Sequence, residues 1–339
     1  MSTPAADGFS MPAEWAPHDR CWMAWPCRAQ SWGGELRGAR RAFAAVAKAI
    51  TAFEPVTMIA NAADVAAAGA ACGPDVAVLP LPLDDSWTRD TGPGFVVDGR
   101  GRLAGVDWRF NAWGGLFDRY DADAGLAGRV LGHLGLPRYP APLVFEGGAV
   151  HVDGEGTALT TEAVVFDRNR NPGLTRADAE ALLAAYLGIE KVIWLGRGLE
   201  DDETGGHVDN IACFVRPGVV LLLSAPDGDA NRARLEENLR RLAGATDARC
   251  RTLQVVRLAQ PPRRERRIGG RLPLSHINFY LANGGLVMPE FGHRESDAEA
   301  RRCLARLFPG HRIVPVPALD IVDGGGGIHC ITQPQPKAG

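Results

Sequence analysis

Residues 207–225, HVDNIACFVRPGVVLLLSA, hold two apolar runs joined at Pro217-Gly218 and preceded by the polar group His207-Val-Asp209-Asn210. The runs are strand-length and rich in β-branched residues, and Pro-Gly is the chemistry of a tight turn, so the stretch predicts a β-hairpin. Three other stretches share its build: GFVVDGRGRLAGVDW from residue 94, AVHVDGEGTALTTEA from 149 and HINFYLANGGLVMPEF from 276. Their turns fall at Asp98-Gly99, Asp153-Gly154 and Asn283-Gly284, residue types that tight turns require. Successive hairpins are thus about 55, 59 and 68 residues apart, a spacing typical of a repeated supersecondary unit.

Between the hairpins, amphipathic Ala/Leu/Arg/Glu patterns predict helices near residues 38–52, 62–71, 123–134, 175–186, 229–242 and 296–308. Thr175-Arg-Ala-Asp178 is a capping box for the fourth. The last two helices lead into RTLQVV, from residue 251, and RIVPVPA, from 312, each a further strand. A hairpin, helix and strand recurring about every 60 residues predicts an α/β ring of ββαβ units around an axis. The competing reading is an ordinary α+β domain in which helix and hairpin alternate by chance. No linker or compositional break divides residues 1–339, so one domain is expected.

Composition narrows the class. The chain of 339 residues is 46% hydrophobic with a formal net charge of −3, enough apolar material for a large core and too little charge for a nucleic-acid partner. The run Arg263-Arg264-Glu265-Arg266-Arg267 follows Pro261-Pro262 and predicts a solvated loop. No apolar run reaches the 18 or so residues of a membrane span, and the N-terminus has no basic-then-apolar leader. Seven cysteines without C-x-x-C or regular spacing suit a reducing cytoplasm and free thiols.

Polar residues recur at one point of every unit. DDSWTRDTGP precedes the first hairpin, FEGG the second, DDETGGHVDN opens the third, SHIN the fourth, and GGGGIHC a final strand expected over Ile328–Gln333 with His329 and Cys330 on opposite faces. In a ring these five segments converge, gathering Asp90, Glu146, His207, Asp209 and Cys330 around one cavity. Singly, each has a plainer reading: Arg89 and Asp90 as a surface ion pair, Glu146 as acceptor for the Gly147 and Gly148 amides, His207 and Asp209 as a satisfied pair on one strand face, Cys330 as a small core residue. His151-Val-Asp153 repeats the H-x-D of His207 and suggests a metal-dependent hydrolase, but Asp153 lies in a hairpin turn. His18, Cys21 and Cys27 lack the second close-spaced pair of a zinc site.

Carboxylates around a thiol raise its pKa and are unsuited to an ordinary thiol hydrolase. They suit a cationic substrate, and a planar guanidinium is the cation that carboxylates grip bidentately. Held by Asp90 and Asp209, its carbon would face a Cys330 thiolate. Attack and loss of ammonia would give a thiouronium, and water would then release a ureido product, with His207 as acid and base.

Here the sequence resembles the agmatine deiminase family of guanidine-modifying (amidinotransferase-type) enzymes. The resemblance runs from MPAEWAPHDRCWMAWP through DDSWTRDTGP, FNAWGG, EGG, DDETGGHVDN and INFYLANGG to GGGGIHCITQ. It implies a five-bladed α/β propeller around a central cavity, no metal or organic cofactor, and hydrolysis of agmatine to N-carbamoylputrescine and ammonia in polyamine synthesis. It also implies Cys330 as nucleophile, His207 as acid/base oriented by Glu146, Asp90 and Asp209 on the guanidinium, Trp87 beside the substrate and Glu203 on the distal amine, where Asp201 and Asp202 add negative charge. A cytoplasmic homodimer is the implied assembly. The sequence departs from the family pattern at Gly327 (usually Asn), Pro334 (usually Gln) and Val165–Asp167, which bears on substrate preference. Peptidyl-arginine or free arginine are alternative substrates, the latter needing a cation such as Arg89, Arg119 or Arg170. A non-catalytic polyamine-binding propeller is the non-enzymatic alternative.

Overall fold

Gly218 and Gly284 carry φ of +77° and +75°, the left-handed angles that a chain reversal needs and that glycine adopts without strain. Around such turns all four expected hairpins form: Gly94–Asp98 with Leu103–Arg109, Val150–Val152 with Thr157–Thr161, Ala212–Arg216 with Val219–Ser224, and Tyr280–Ala282 with Gly285–Glu290. The computed structural model describes residues 2–267 and 269–339. Among these, the strands form a mixed α/β fold of five separate sheets, each of three or four strands.

One connection recurs. After Val219–Ser224 the helix Arg232–Leu242 leads to Gln254–Ala259, parallel to it. The helices Arg176–Leu187 and Arg294–Leu307 lead likewise to Lys191–Leu195 and Arg312–Pro317, and Leu126–Leu134 leads to Arg138–Val144. The fifth sheet joins distant parts of the chain: Gln333–Pro336 lies antiparallel to His18–Ala24, then Arg37–Thr51 leads to parallel Val56–Ala60, and Val65–Cys72 to Val76–Pro80. The six long helices therefore fall within a few residues of their expected positions. Thr175 caps its helix as the box predicts, Oγ1 accepting from Asp178 N at 3.1 Å.

The helices pack their apolar stripe on a sheet. Phe43, Val46, Ala47 and Ile50, at helical spacing along Arg37–Thr51, are fully buried in one cluster with Met58 and Ala60. Two expected strands do not form. Residues 328–331 are turns, with the strand starting at Gln333, and Val208–Asn210 is a single 3₁₀ turn, so His207 and Asp209 do not share a strand face. In both places tertiary hydrogen bonds, Arg89 N to Cys330 O and Asn278 Nδ2 to Asp209 O, override local alternation. The basic run is not uniformly solvated either: Arg266 is 9% exposed and pairs with Glu203.

One buried carboxylate ties three elements. Glu54 accepts from Tyr280 OH at 2.5 Å and Asn283 N at 2.9 Å, and lies 3.2 Å from His18 Nδ1. Removing it strands two buried groups, the Tyr280 hydroxyl and His18 Nδ1. Glu54→Ala should therefore lower unfolding free energy by about 3–5 kcal/mol in urea titration. Loss of the exposed Glu155–Arg251 pair through Glu155→Ala should cost no more than about 1 kcal/mol. Equal losses would refute this account of the Glu54 contacts.

Candidate active site

The five polar segments fold as turns just ahead of the first hairpin strand in each sheet: Thr88–Thr91, Gly147–Ala149, Val208–Asn210, the loop before Tyr280, and residues 324–331. They meet. Cys330 Sγ lies 3.4 Å from Asp209 Oδ2 and 3.3 Å from Asn278 Nδ2. His207 Nε2 is 3.4 Å from Glu146 Oε2, and its Nδ1 is 3.8 Å from Asp90 Oδ1. Asp90 accepts from Gly148 N at 3.0 Å through Oδ1 and from Trp113 Nε1 at 2.9 Å through Oδ2. All of these groups except Trp113 are buried. Trp87, Asp90, Trp113, Glu203 and Cys330 line one cavity.

Two polar atoms in this shell have no partner although buried: Asp209 Oδ1, an acceptor, and His207 Nδ1. Most buried polar atoms in folded proteins have a partner, so this open acceptor and open ring nitrogen, both in the shell around the thiol, are free for a ligand's hydrogen-bonding groups. The plainer readings of Asp90, of Glu146 and of a His207–Asp209 pair fail here, while Cys330 does pack in a hydrophobic cluster. Arg89 pairs not with Asp90 but with Glu14, at 2.8 Å. Glu146 is held by Arg170 Nε at 2.9 Å, and Arg170 Nη2 donates to Thr204 O at 2.7 Å. Asp153 Oδ1 accepts from Glu155 N and Thr157 N within its turn, away from the site. Among the described residues no three His, Cys, Asp or Glu side chains are grouped to hold a metal ion.

The glycines are explained by what crowds them. A Cβ on Gly326 would sit 2.5 Å from the Trp87 ring, and one on Gly327 2.2 Å from Asn278 Oδ1. Gly325 has φ +113° and lies against Glu203 Oε2. The bare backbone lets the Cys330 loop press on the cavity walls.

Charge sets the protonation states. Burial, Asp209 and Asp90 push the Cys330 thiol well above its ordinary value, against the Gly327 amide and Asn278. Burial would lower His207, but Asp90, Glu146 and Asp209 carry it up to about 9. Burial raises Asp90. Glu146 and Asp209 are lowered despite burial, by Arg170 and His207 and by His329 respectively. An empty site near neutrality thus holds a thiol, an imidazolium and ionised Glu146 and Asp209.

Sequence reasoning missed Asn278, Trp113, Glu14 and His329 as members of this site. Asn278 had a signal, since SHIN stands at the repeat position that supplies Asp90, Glu146 and Asp209. Of the acidic triplet only Glu203 reaches the cavity; Asp201 accepts from Arg271 N, and Asp202 from Thr204 and Asn210.

This fold and site define a class. The Porphyromonas-type peptidyl-arginine deiminase family matches residues 10–336, and the chain belongs to it. Among its relatives, a putative agmatine deiminase of Legionella pneumophila (strain Philadelphia 1) is 48% identical over 340 residues, covering 99% of this chain and 97% of that one. The agmatine deiminase of Ectopseudomonas mendocina is 46% identical, with coverage of 99% and 97%. The solved agmatine deiminase of Enterococcus faecalis superposes with a TM-score of 0.96 at 36% identity, covering 99% and 98%.

Gly148 gives a direct test of the geometry. A Cβ there would meet His207 Nδ1 at 2.5 Å, Asp209 Oδ2 at 2.9 Å and Asp90 Oδ1 at 3.0 Å. Gly148→Ala should cut turnover by ~10²-fold, since displacements near 1 Å suffice for that, while thermal unfolding shifts little. Unimpaired turnover would show that these three groups do not act together.

Proposed function

We propose that the chain deiminates agmatine, giving N-carbamoylputrescine and ammonia through a covalent intermediate on Cys330. The observation that carries the reading is a buried thiol faced by Asp90 and Asp209, with Asp209 Oδ1 left open. A buried unpaired acceptor beside a second carboxylate calls for a cationic donor, and a guanidinium supplies several N–H groups in one plane. The agmatine deiminases at 46–48% identity support the same substrate.

In this reading the substrate guanidinium lies between Asp90 and Asp209, beside Trp87. The Cys330 thiol loses its proton to solvent as the guanidinium binds, and the thiolate attacks the guanidinium carbon, forming the C–S bond as one C=N pair moves to nitrogen. His207, charged when the site is empty, gives its proton to the departing amine; the C–N bond breaks and ammonia leaves a thiouronium. Neutral His207 then takes a proton from water, whose oxygen adds to the same carbon. The C–S bond breaks, the hydroxyl proton of the adduct passes to the departing sulfur, and the ureido product leaves. Glu146, braced by Arg170, holds the His207 ring.

The distal amine would meet Glu203, whose Oε2 faces Gly325 while Oε1 takes Arg266. The arginines considered for a free arginine carboxylate are engaged elsewhere: Arg89 with Glu14, Arg119 with Asp84, Arg170 with Glu146. That favours agmatine over arginine. We read the five sheets as blades of a five-bladed propeller, one domain over residues 1–339, since each carries the same ββαβ unit and their polar turns meet at one cavity. The family resemblance supports a homodimer. Seven free cysteines suit the cytoplasm, and no helix among the described residues is long and apolar enough to cross a membrane.

Ammonia release from agmatine, arginine and a peptidyl-arginine, measured side by side, should favour agmatine in kcat/KM. Cys330→Ser should abolish it with the fold retained, and EDTA should leave it unchanged. Turnover by the serine variant would end the covalent proposal.

The pH dependence follows from the raised thiol. An empty site should alkylate slowly at neutral pH with a small neutral reagent. A small non-reactive guanidinium brings positive charge beside sulfur and should move the alkylation profile to lower pH. A free-enzyme profile already titrating well below pH 7, unmoved by guanidinium, would mean a preformed thiolate–imidazolium pair instead.

A further inference from the structure

His329, the sequence neighbour of the nucleophile, has no part in these steps, yet it is 3% exposed and touches the site. Both its ring nitrogens lie at hydrogen-bond distance from carboxylate oxygens: Nδ1 is 2.8 Å from Asp209 Oδ2 and Nε2 is 2.7 Å from Glu14 Oε1. Ionised carboxylates only accept hydrogen bonds, so each contact needs an N–H, and a neutral imidazole has one. The backbone fixes the ring's place. His329 N donates to Asn278 Oδ1 at 2.9 Å, and Arg89 Nε donates to His329 O at 3.3 Å. Glu14 is anchored in turn by Arg89 Nη1 at 2.8 Å, with His151 Nε2 at 3.6 Å.

We infer that His329 is a positioning residue: a permanent imidazolium that holds Asp209 ionised and turned, with Oδ2 toward His329 and Cys330 and Oδ1 left open for the substrate. Glu14 is the counter-charge that keeps the ring protonated. The need is physical. Asp209 is buried beside Asp90, near Glu146, where like charge and desolvation favour a neutral carboxyl that cannot grip a cation. The titratable and charged groups facing Asp209 are His329, His207, Arg89, Asp90, Asp202 and the Cys330 thiol; those facing His329 are Glu14, Asp209, Arg89 and His151. Burial and Arg89 oppose charge on His329, but Glu14 and Asp209 outweigh them and raise its pKa, while His329 leads the groups that lower Asp209 against burial.

The activity test rests on the deiminase reading; a second measurement does not. In His329→Gln the cation is lost, so the Asp209 pKa rises and the carboxylate protonates at a higher pH. The acid limb of kcat/KM for agmatine should move up by about one pH unit or more, with activity recovering toward alkaline pH. Glu14→Gln should move it the same way by less. A merely structural role would lower activity at every pH and leave the limb in place, and that result would overturn the proposal. Should either variant fail to fold, nitrogen NMR of the intact enzyme decides. Both ring nitrogens of His329 should stay protonated from about pH 5 to pH 9, well above the range of an ordinary histidine. A neutral ring at pH 7 would overturn the proposal whether or not agmatine is the substrate, whereas a wild-type enzyme inert on agmatine would sink the functional reading alone.

Discussion

The site depends on holding several carboxylates together without water. Asp90, Glu146 and Asp209 are buried together around the Cys330–His207 site, and Glu14 reaches Asp209 through the His329 ring. Like charges in a low-dielectric interior protonate or part unless each is answered. Glu146 is answered by Arg170 and His207, Glu14 by Arg89 and His329, and Asp209 by His329. Asp90 alone rests on neutral donors, Gly148 N and Trp113 Nε1, with the His207 ring 3.8 Å away, and it is the carboxylate whose pKa is raised. Among these carboxylates one oxygen, Asp209 Oδ1, is left without a partner and so stays available to a substrate.

Five sheets make this arrangement possible. Each delivers one short turn to the cluster, and a turn ahead of a strand can aim its side chains where strand alternation would send every second one away. Cys330, His207 and Asp209 all stand in such turns. This geometry demands glycine, because the backbone of one turn packs directly against side chains from another. Gly148 lies under His207, Asp90 and Asp209, and Gly326 and Gly327 lie under Trp87 and Asn278.

Much of this was legible in the chain. Turn dipeptides marked the hairpins and amphipathic periods marked the helices, because both report local physics: glycine at positive φ and one buried stripe per helix. The recurrence of polar residues at one point of each unit located Asp90, Glu146, His207, Asp209 and Cys330, and the structure brings all five together. The two expected strands over Ile328–Gln333 and at His207–Asp209 failed for a reason no local pattern contains, since hydrogen bonds from other sheets hold those segments as turns. Glu14 carried no signal, lying outside the repeated units. Arg266, in a run that looked solvated, is drawn inward by Glu203, a partner 63 residues away.

The matched charges also explain why a thiol can wait there protonated. An ionised Cys330 in the empty site would add a negative charge beside Asp209 and Asp90 with no further cation to answer it. A guanidinium entering the cavity brings that missing charge. If the thiol proton leaves as the guanidinium arrives, the buried cluster keeps the same total charge, and the desolvation cost of a new thiolate is offset by the ion that needs it. The nucleophile then forms when its target is in place. A neutral molecule of the same shape would bind without ionising the sulfur, so the cluster selects for a cation in the chemical step as well as in binding. In the proposed reaction, the carboxylates that seem hostile to thiol chemistry would couple thiolate formation to the arrival of a guanidinium.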